Sequence, residues 1–321
     1  MNLGLSRVYL AAEQFSRVAV LLCALVCAIL QVCGVTISMT GQIVAALIAL
    51  TLGIPHGAID HLIALPRNPR NRFVGFILGY TAIAILSAVA IAQWNLIGFR
   101  LVLVMSALHF GFGDASYENE WQEFAGHKKF NLVSVCAYAI PSGLLPVMLP
   151  LTDHRSISAL HRIHPALSQW AGSYSHLIRG SVLTLALCGF IGLLFNKAYR
   201  MSIDLVLIAL LSLIAPPLLC FAFYFGCWHA LRHTARLVPK LESARIAAMS
   251  DDLTGAYRRG IVPGAYAVIG TLVIACALMI WDAHQFGSGL LWSTLVIVWA
   301  LTVPHMLTTA SFDRKALQSR A

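Results

Sequence analysis

Histidine is the residue type in this sequence whose spacing best fits a chemical site. His229 and His233 stand four residues apart in the motif WHALRH, so on one helix both imidazoles project from the same face and can reach one metal ion. Three more histidines, His56, His109 and His305, lie in the motifs PHGAID, HFGFGD and LTVPHM. These motifs fall in long apolar stretches, where an ionisable side chain is costly and marks a functional site by default. The pattern predicts a metal site buried among helices.

The composition indicates an integral membrane protein. Hydrophobic residues make up 59% of the chain and charged residues 11%, whereas soluble domains carry about 25% charged residues. The formal net charge of +9 comes from Lys and Arg between apolar runs, which is typical of cytoplasmic loops, and no nucleic-acid partner is expected. The eight cysteines form no CxxC pair and predict neither a disulfide framework nor a zinc knuckle. The first apolar run lacks a cleavable signal pattern.

Nine apolar stretches are long enough to be considered as membrane spans. One of them, 131–150, contains three prolines, and a re-entrant or interfacial segment suits such a run. If it does not cross, 19 of the 22 basic residues lie on the side of the N-terminus, and only Arg100, Lys197 and Arg200 lie opposite. The positive-inside rule favours that arrangement. The stretches are 18–38, 41–65, 73–94, 97–113, 131–150, 174–195, 202–230, 261–281 and 289–311.

This count predicts an all-α fold, a polytopic transmembrane helical bundle of about eight spans with one extra re-entrant or interfacial segment. Residues 1–321 form a single integral membrane domain in it, and both termini lie in the cytoplasm. The less hydrophobic segment 114–175 is expected to be a cytoplasmic insertion. The five histidines then occupy spans two, four, six and eight, which run in the same direction, and all lie at a similar depth. A single intramembrane histidine is explained as well by a helix-packing hydrogen bond, but a set at one depth favours a metal site.

Polar and aromatic neighbours of the histidines have two readings each. Asp60 and Asp114 either orient imidazoles as hydrogen-bond acceptors or cap the spans at the interface. Pro55 frees a backbone carbonyl in a helix, which is tolerated where the helix lines a cavity and is also common in membrane helices generally. Aromatic residues near the ligand motifs either wall a long apolar tunnel or face lipid; they include Phe110, Tyr224 and Trp228.

The identity of the metal does not follow from the histidines alone, because neutral imidazole suits zinc, copper, iron and nickel. Membrane di-iron desaturases and hydroxylases carry about eight histidines in boxes that include HxxHH. No HxxHH occurs here, so a mononuclear centre fits better.

The motifs PHGAID, HFGFGD, WHALRH and LTVPHM, in this order, resemble the Brp/Blh family of bacterial and archaeal β-carotene dioxygenases over residues 41–311. The resemblance implies O2-dependent cleavage of the central double bond of β-carotene into two retinal molecules, in the cell's inner (cytoplasmic) membrane. It implies an iron(II) centre, Fe(2+), held by His56, His109, His229 and His233, which are the expected catalytic residues, with His305 lining the site. A retinal-binding protein is a further expected partner.

Two other functions stay open on the residues alone. One is a different membrane iron oxygenase, such as a carotenoid or lipid hydroxylase or desaturase. The other is a transporter or a haem-binding membrane protein, in which the histidines relay protons or bind haem.

Overall fold

The computed structural model describes residues 3–65, 70–281 and 289–318, and these residues form helices and connecting turns without any strand. Six helices have the length and apolar composition of a membrane span, which confirms the predicted multi-pass helical bundle. The helices are α1 (Leu3–Val32), α2 (Met39–Ala58), α3 (Asp60–Ala64), α4 (Arg70–Gln93), α5 (Asn95–Ala125), α6 (Leu132–Met148), α7 (His154–Ile163), α8 (Ser175–Phe195), α9 (Tyr199–Ile214), α10 (Pro217–Ala222), a π-helix (Phe223–His229), α11 (Ala230–Leu237), α12 (Glu242–Met249), α13 (Leu253–Ile261), α14 (Ala265–Trp281) and α15 (Gly289–Leu317).

The apolar stretch 202–230, predicted as one span, is a helical hairpin, and that prediction is wrong. Helix α9 ends at Ile214, because Pro216 and Pro217 lack the N–H groups that would continue it and a residue before proline avoids the helical conformation. The chain then returns through α10, the π-helix and α11. Arg232, near the end of this return, donates to Asp204 near the start of α9 at 2.6 Å. The two arms of the hairpin are therefore antiparallel.

The proline-containing segment 131–150 also differs from its prediction. It forms α6, which keeps Pro141 and Pro146 within the helix and packs along α5 in the opposite direction. At the crossing, Gly111 lies against the backbone of Ala139 and Gly143 against the backbone of Ala107, so close that a Cβ on either glycine would overlap a carbonyl oxygen. Small residues permit such backbone approach between membrane helices. Much of the segment is buried against the bundle, while Leu132 and Val133 at its start are exposed.

The two halves of the predicted insertion 114–175 lie at opposite ends of the bundle. At one end Lys129 donates to the carbonyl oxygen of Ala316, in the last turn of α15, at 3.0 Å. At the other end Arg100, in the first turns of α5, donates to the carbonyl oxygen of Trp170 at 2.7 Å. The segment therefore does not form a single insertion on one side. We call residues 150–174, which close the second end, the cap.

Arg200 also lies at the end of the bundle where α1 begins, and not at the predicted opposite end. Its guanidinium donates to Glu13 of α1 at 2.5 Å and to Glu118 of α5 at 3.3 Å. Nearby, the side chain of Asn131 donates to that of Asn196 at 3.3 Å, which brings the start of α6 and the end of α8 to the same end.

The helices that carry the five histidines run in parallel. Phe99 and His109 of α5 face Trp299 and His305 of α15 in the same order, with ring centroids 5.5 and 5.0 Å apart. Along α2, Ala49 lies against Gly226 of the π-helix, and seven residues later His56 meets His233, with ring centroids 4.8 Å apart. The common direction and depth predicted for these helices are confirmed.

Candidate metal centre

Five buried imidazoles meet in the middle of the bundle. One ring nitrogen from each of His56, His109 and His305 lies within 4.8 Å of the other two. His229 packs against His109 with ring centroids 5.0 Å apart, and His233 lies 4.8 Å from His56 and 5.6 Å from His305. Both members of the predicted i, i+4 pair pack against His56, with ring centroids 5.8 Å apart for His229 and 4.8 Å apart for His233. His305, predicted only to line the site, supplies one of the three ring nitrogens that lie within 4.8 Å of one another.

Several nitrogens of the cluster are buried without a hydrogen-bond partner in the protein. These are Nδ1 of His56, Nε2 of His229, Nε2 of His305 and both ring nitrogens of His233. A buried polar atom left without a partner costs about 1–3 kcal/mol, and here such atoms are gathered on imidazoles that pack against one another. Such a donor set fits a metal that binds neutral imidazole.

Two carboxylates hold two of the imidazoles from behind. Asp114 lies 3.3 Å from Nδ1 of His229 and accepts hydrogen bonds from Tyr224 at 3.0 Å and Trp228 at 2.9 Å. Asp60 lies 2.9 Å from Nδ1 of His305. Each contact places a carboxylate on Nδ1 and leaves Nε2 directed into the cluster, as in carboxylate–histidine–metal arrangements. Of the two readings of these aspartates, the structure favours the orienting one.

The π-helix explains how one aspartate engages three neighbouring side chains. The i→i+5 bonds over Phe223–His229 widen the turn. Tyr224, Trp228 and His229 thereby all face Asp114. Nothing in the apolar pattern of this stretch predicts a π-helix, but such turns occur often at functional sites.

The remaining predicted site residues divide into cavity-lining and supporting ones. Phe110 and Tyr224 line the cavity beside the histidines, and the Phe110 ring lies 4.5 Å from that of His229. Trp228 is fully buried and supports Asp114 from behind, with the Arg232 guanidinium stacked 3.7 Å from its ring. Pro55 turns its carbonyl toward Gly264 at the start of α14 and is not part of the described cavity wall.

A largely apolar cavity of about 370 Å³ passes alongside the histidines. On one side of the cluster it continues to the cap, and we call this the closed arm, since its end is formed by the buried side chains of Phe99, Leu160, Ile163, Leu167 and Leu295, together with Trp299. On the other side it continues between α2, α3 and α4, and we call this the open arm, lined by Gly57, Ala58, His61, Phe76 and Ile77.

Sequence reasoning missed several residues of this site. Tyr80 donates to Asp60 at 3.2 Å and lines the cavity, but a lone tyrosine in an apolar stretch carries no signal of that contact. The sequence also does not indicate that the cap lies against the cavity, because the low hydrophobicity of segment 114–175 predicts a cytoplasmic insertion.

Comparison with known proteins agrees with this geometry. The sequence profile of a family described as beta-carotene 15,15'-dioxygenase matches residues 45–313. A protein named beta-carotene 15,15'-dioxygenase, from uncultured marine bacterium 66A03, is 25% identical over 277 residues, which cover 82% of this chain and 90% of that protein. No solved structure gives a significant match.

Proposed function

The chain belongs to the β-carotene 15,15'-dioxygenase family, and we propose that it cleaves the central double bond of β-carotene with O2 at a single iron(II) held by the histidine cluster. One C=C bond breaks and two C=O bonds form, with one oxygen atom of O2 in each aldehyde, so two retinal molecules result. The observation that carries the proposal is a cluster of five buried imidazoles, three of which, His56, His109 and His305, line an apolar cavity and have ring nitrogens within 4.8 Å of one another.

The donor set supports iron without a carboxylate ligand. Asp60 and Asp114 are engaged by hydrogen bonds behind His305 and His229, so the groups that remain for a metal are imidazole nitrogens. The family resemblance assigns four ligands, His56, His109, His229 and His233. Since a ring nitrogen of His305 lies within 4.8 Å of ring nitrogens of His56 and His109, we propose that the ligands are four of these five histidines. Bound there, iron(II) would supply the activation of O2 that carbon alone cannot provide.

The chain's own residues hold the polyene and exclude water. Apolar and aromatic side chains form nearly all of the cavity wall, among them Leu50, Ile54, Leu103, Phe110, Phe221 and Phe225. Such walls bury a hydrocarbon substrate favourably. Because they offer few polar groups, the shape of the cavity must orient the substrate. Asp60 and Asp114 hold His305 and His229 in one tautomer.

Access from the bilayer fits a substrate that dissolves in lipid. Ile77 of α4 lines the open arm and has 40% of its surface exposed, on a helix of which little is buried. We propose that β-carotene enters sideways between α3 and α4. The start of α1 and the end of α15 lie at one end of the bundle, where Tyr9 and Arg236 both donate to Glu120 and Arg236 also donates to Asp313. We propose that this end is the cytoplasmic side of the inner membrane, and a retinal-binding protein would receive the product.

Expression in a host that accumulates β-carotene tests this function. We expect loss of the orange colour, retinal as the product by chromatography, and about one iron per purified chain. Retained colour without retinal would contradict the proposal, and so would a haem absorption band or zinc in place of iron. Hydroxylated or desaturated carotenoid in place of retinal would instead identify another membrane iron oxygenase.

A further inference from the structure

We propose that the cap sets the position of cleavage, because it ends the closed arm at a fixed distance from the histidines and stops the polyene when its midpoint lies beside them. The inference rests on the proposed function and adds the residues that determine which bond is broken. The stop is formed by Leu160, Ile163 and Leu167 of the cap.

The length of the closed arm can be read from two helices. Phe99 at its end precedes His109 by ten residues on α5, and Leu295 precedes His305 by ten residues on α15. At a rise of 1.5 Å per residue, each helix separates the end of the arm from the histidines by about 15 Å. The two parallel helices therefore place the end of the arm at the same level, and the closed arm has a defined depth.

The cap is built to keep that depth constant. The side chain of Trp170 donates to the carbonyl oxygen of Leu151 at 3.1 Å, and Arg100 of α5 donates to the carbonyl oxygen of Trp170 at 2.7 Å. Ser175, at the start of α8, donates to the carbonyl oxygen of Thr152 at 3.1 Å. The ring of His164 packs on Trp292 of α15 with centroids 4.6 Å apart. The cap is thus tied to three helices of the bundle.

The three stop residues belong to the main hydrophobic core. Leu167 is completely buried, and Leu160 and Ile163 are nearly so. Well-packed cores resist displacement by a ligand, so the end of the polyene cannot push this wall outward. The open arm offers no comparable stop, since its wall includes Ile77, which is exposed.

A symmetric polyene that slides until one end meets the stop presents the same bond each time. A deeper closed arm would let the substrate advance, so that the bond beside the histidines is no longer the central one. Cleavage would then give two carbonyl products of unequal length, an aldehyde with either a ketone or a second aldehyde, in place of two retinal molecules.

The test is a graded series at the stop: Leu160→Val, Leu160→Ala, Leu167→Val and Leu167→Ala, with Ile157→Ala as the matched control on the exposed face of α7. Each variant is incubated with β-carotene, O2 and iron, and the aldehyde and ketone products are separated by chain length. We expect the unequal pair to increase from valine to alanine at both positions and to stay at the wild-type level in Ile157→Ala. The ratio depends only on cleaved substrate, so a partly folded variant still reports it, and the valine variants remove only a single methylene.

A second measurement does not depend on turnover. Leu167→Trp fills the end of the closed arm, so less β-carotene should co-purify with the iron-depleted variant than with iron-depleted Ile157→Trp. Equal amounts in both, or a wild-type product ratio throughout the series, would overturn the stop. If the wild-type protein cleaves no carotenoid at all, the proposed function fails instead, and the two failures are distinct.

Discussion

The two faces of α11 bury polar side chains of opposite character. One face carries His233 together with His229, the last residue of the preceding π-helix, and their ring nitrogens include buried atoms without any protein partner. The neighbouring face carries Arg232 and Arg236, which are just as deeply buried but are surrounded by acidic groups. Both pairs have i, i+4 spacing on this continuous stretch of helix, so the helix itself does not distinguish them.

The arginine face is neutralised within the chain. Arg232 donates to Asp204 at 2.6 Å and to Ser16 at 3.0 Å. Arg236 donates to Asp313 at 2.7 Å and to Glu120 at 2.9 Å. These pairs join α11 to α1, α5, α9 and α15. The comparison teaches that one helix can be anchored by ion pairs on one face, while the neighbouring face carries imidazole nitrogens that the protein leaves without hydrogen-bond partners, as expected of the proposed metal site.

Substitution of the histidine pair should have the largest effect on activity. We expect His229→Ala and His233→Ala each to abolish retinal formation and to lower iron content by more than the ~10–100-fold that loss of an outer-sphere contact produces. The chain should still fold, because the ion pairs of Arg232 and Arg236 remain. Retinal by chromatography, iron by elemental analysis and a monodisperse elution profile measure the three outcomes.

The matched control is His176→Ala, since His176 lies exposed on α8. It should leave both iron content and cleavage unchanged. Full iron and full activity in His233→Ala would show that the shared face does not form the metal site.

Removal of an acidic partner of Arg232 should mainly lower the free energy of unfolding. In Asp204→Ala the buried Arg232 keeps only Glu118, at 3.7 Å, as an acidic neighbour, and removing one partner of a buried pair costs about 3–5 kcal/mol. We expect a clearly lower midpoint of thermal unfolding in detergent, with iron bound normally at low temperature by the fraction that folds.

The exposed pair between Arg7 and Asp251, with an N–O distance of 2.6 Å, provides the control. Arg7→Ala should not change the midpoint, because exposed pairs contribute little. An Asp204→Ala protein as stable as the wild type would mean that the buried network does not anchor α11.

The sequence predicts the histidine face well and the arginine face hardly at all. Histidines in apolar stretches stand out one by one, and hydropathy places them at a common depth. The partners of Arg232 and Arg236 are scattered from Ser16 to Asp313, so their pairing depends on tertiary contacts that no local pattern shows.

Two differences between the predicted and the observed helices cancel in their effect on chain direction. The prediction has no crossing at α6, and it treats α9 and the return through α11 as a single crossing. Each difference adds one reversal of chain direction to the observed fold. The four histidine-bearing helices therefore keep the common direction that charge asymmetry predicted. The cap and the π-helix were not predictable, because both depend on packing that overrides local propensity.

Substitution of the orienting aspartates decides whether His305 is a ligand. Asp114→Asn should weaken iron binding about 10–100-fold, since Asp114 orients His229. Asp60→Asn should do the same if His305 is among the four ligands, because Asp60 lies 2.9 Å from its Nδ1. Titration of the metal-depleted protein with iron(II) measures both affinities. If only Asp114→Asn weakens iron binding, His305 lines the cavity and is not a ligand. If neither variant weakens iron binding, the carboxylates do not orient the ligands.

The smallest effect is expected at Gly57, where added bulk would press on His305. A Cβ at this position would lie 3.3 Å from Nδ1 of His305, which is tight enough to shift the ring but not to exclude it. Gly57→Ala should therefore weaken iron binding by less than the ~10-fold lower limit expected for an outer-sphere change, while helix propensity favours alanine over glycine and preserves stability. Gly75→Ala on α4, where a Cβ meets no atom within 4 Å, is the control and should match the wild type in affinity. If Gly57→Ala and Gly75→Ala bind iron equally well, the position of His305 does not affect iron binding. The proposed metal site then consists of the remaining four imidazoles.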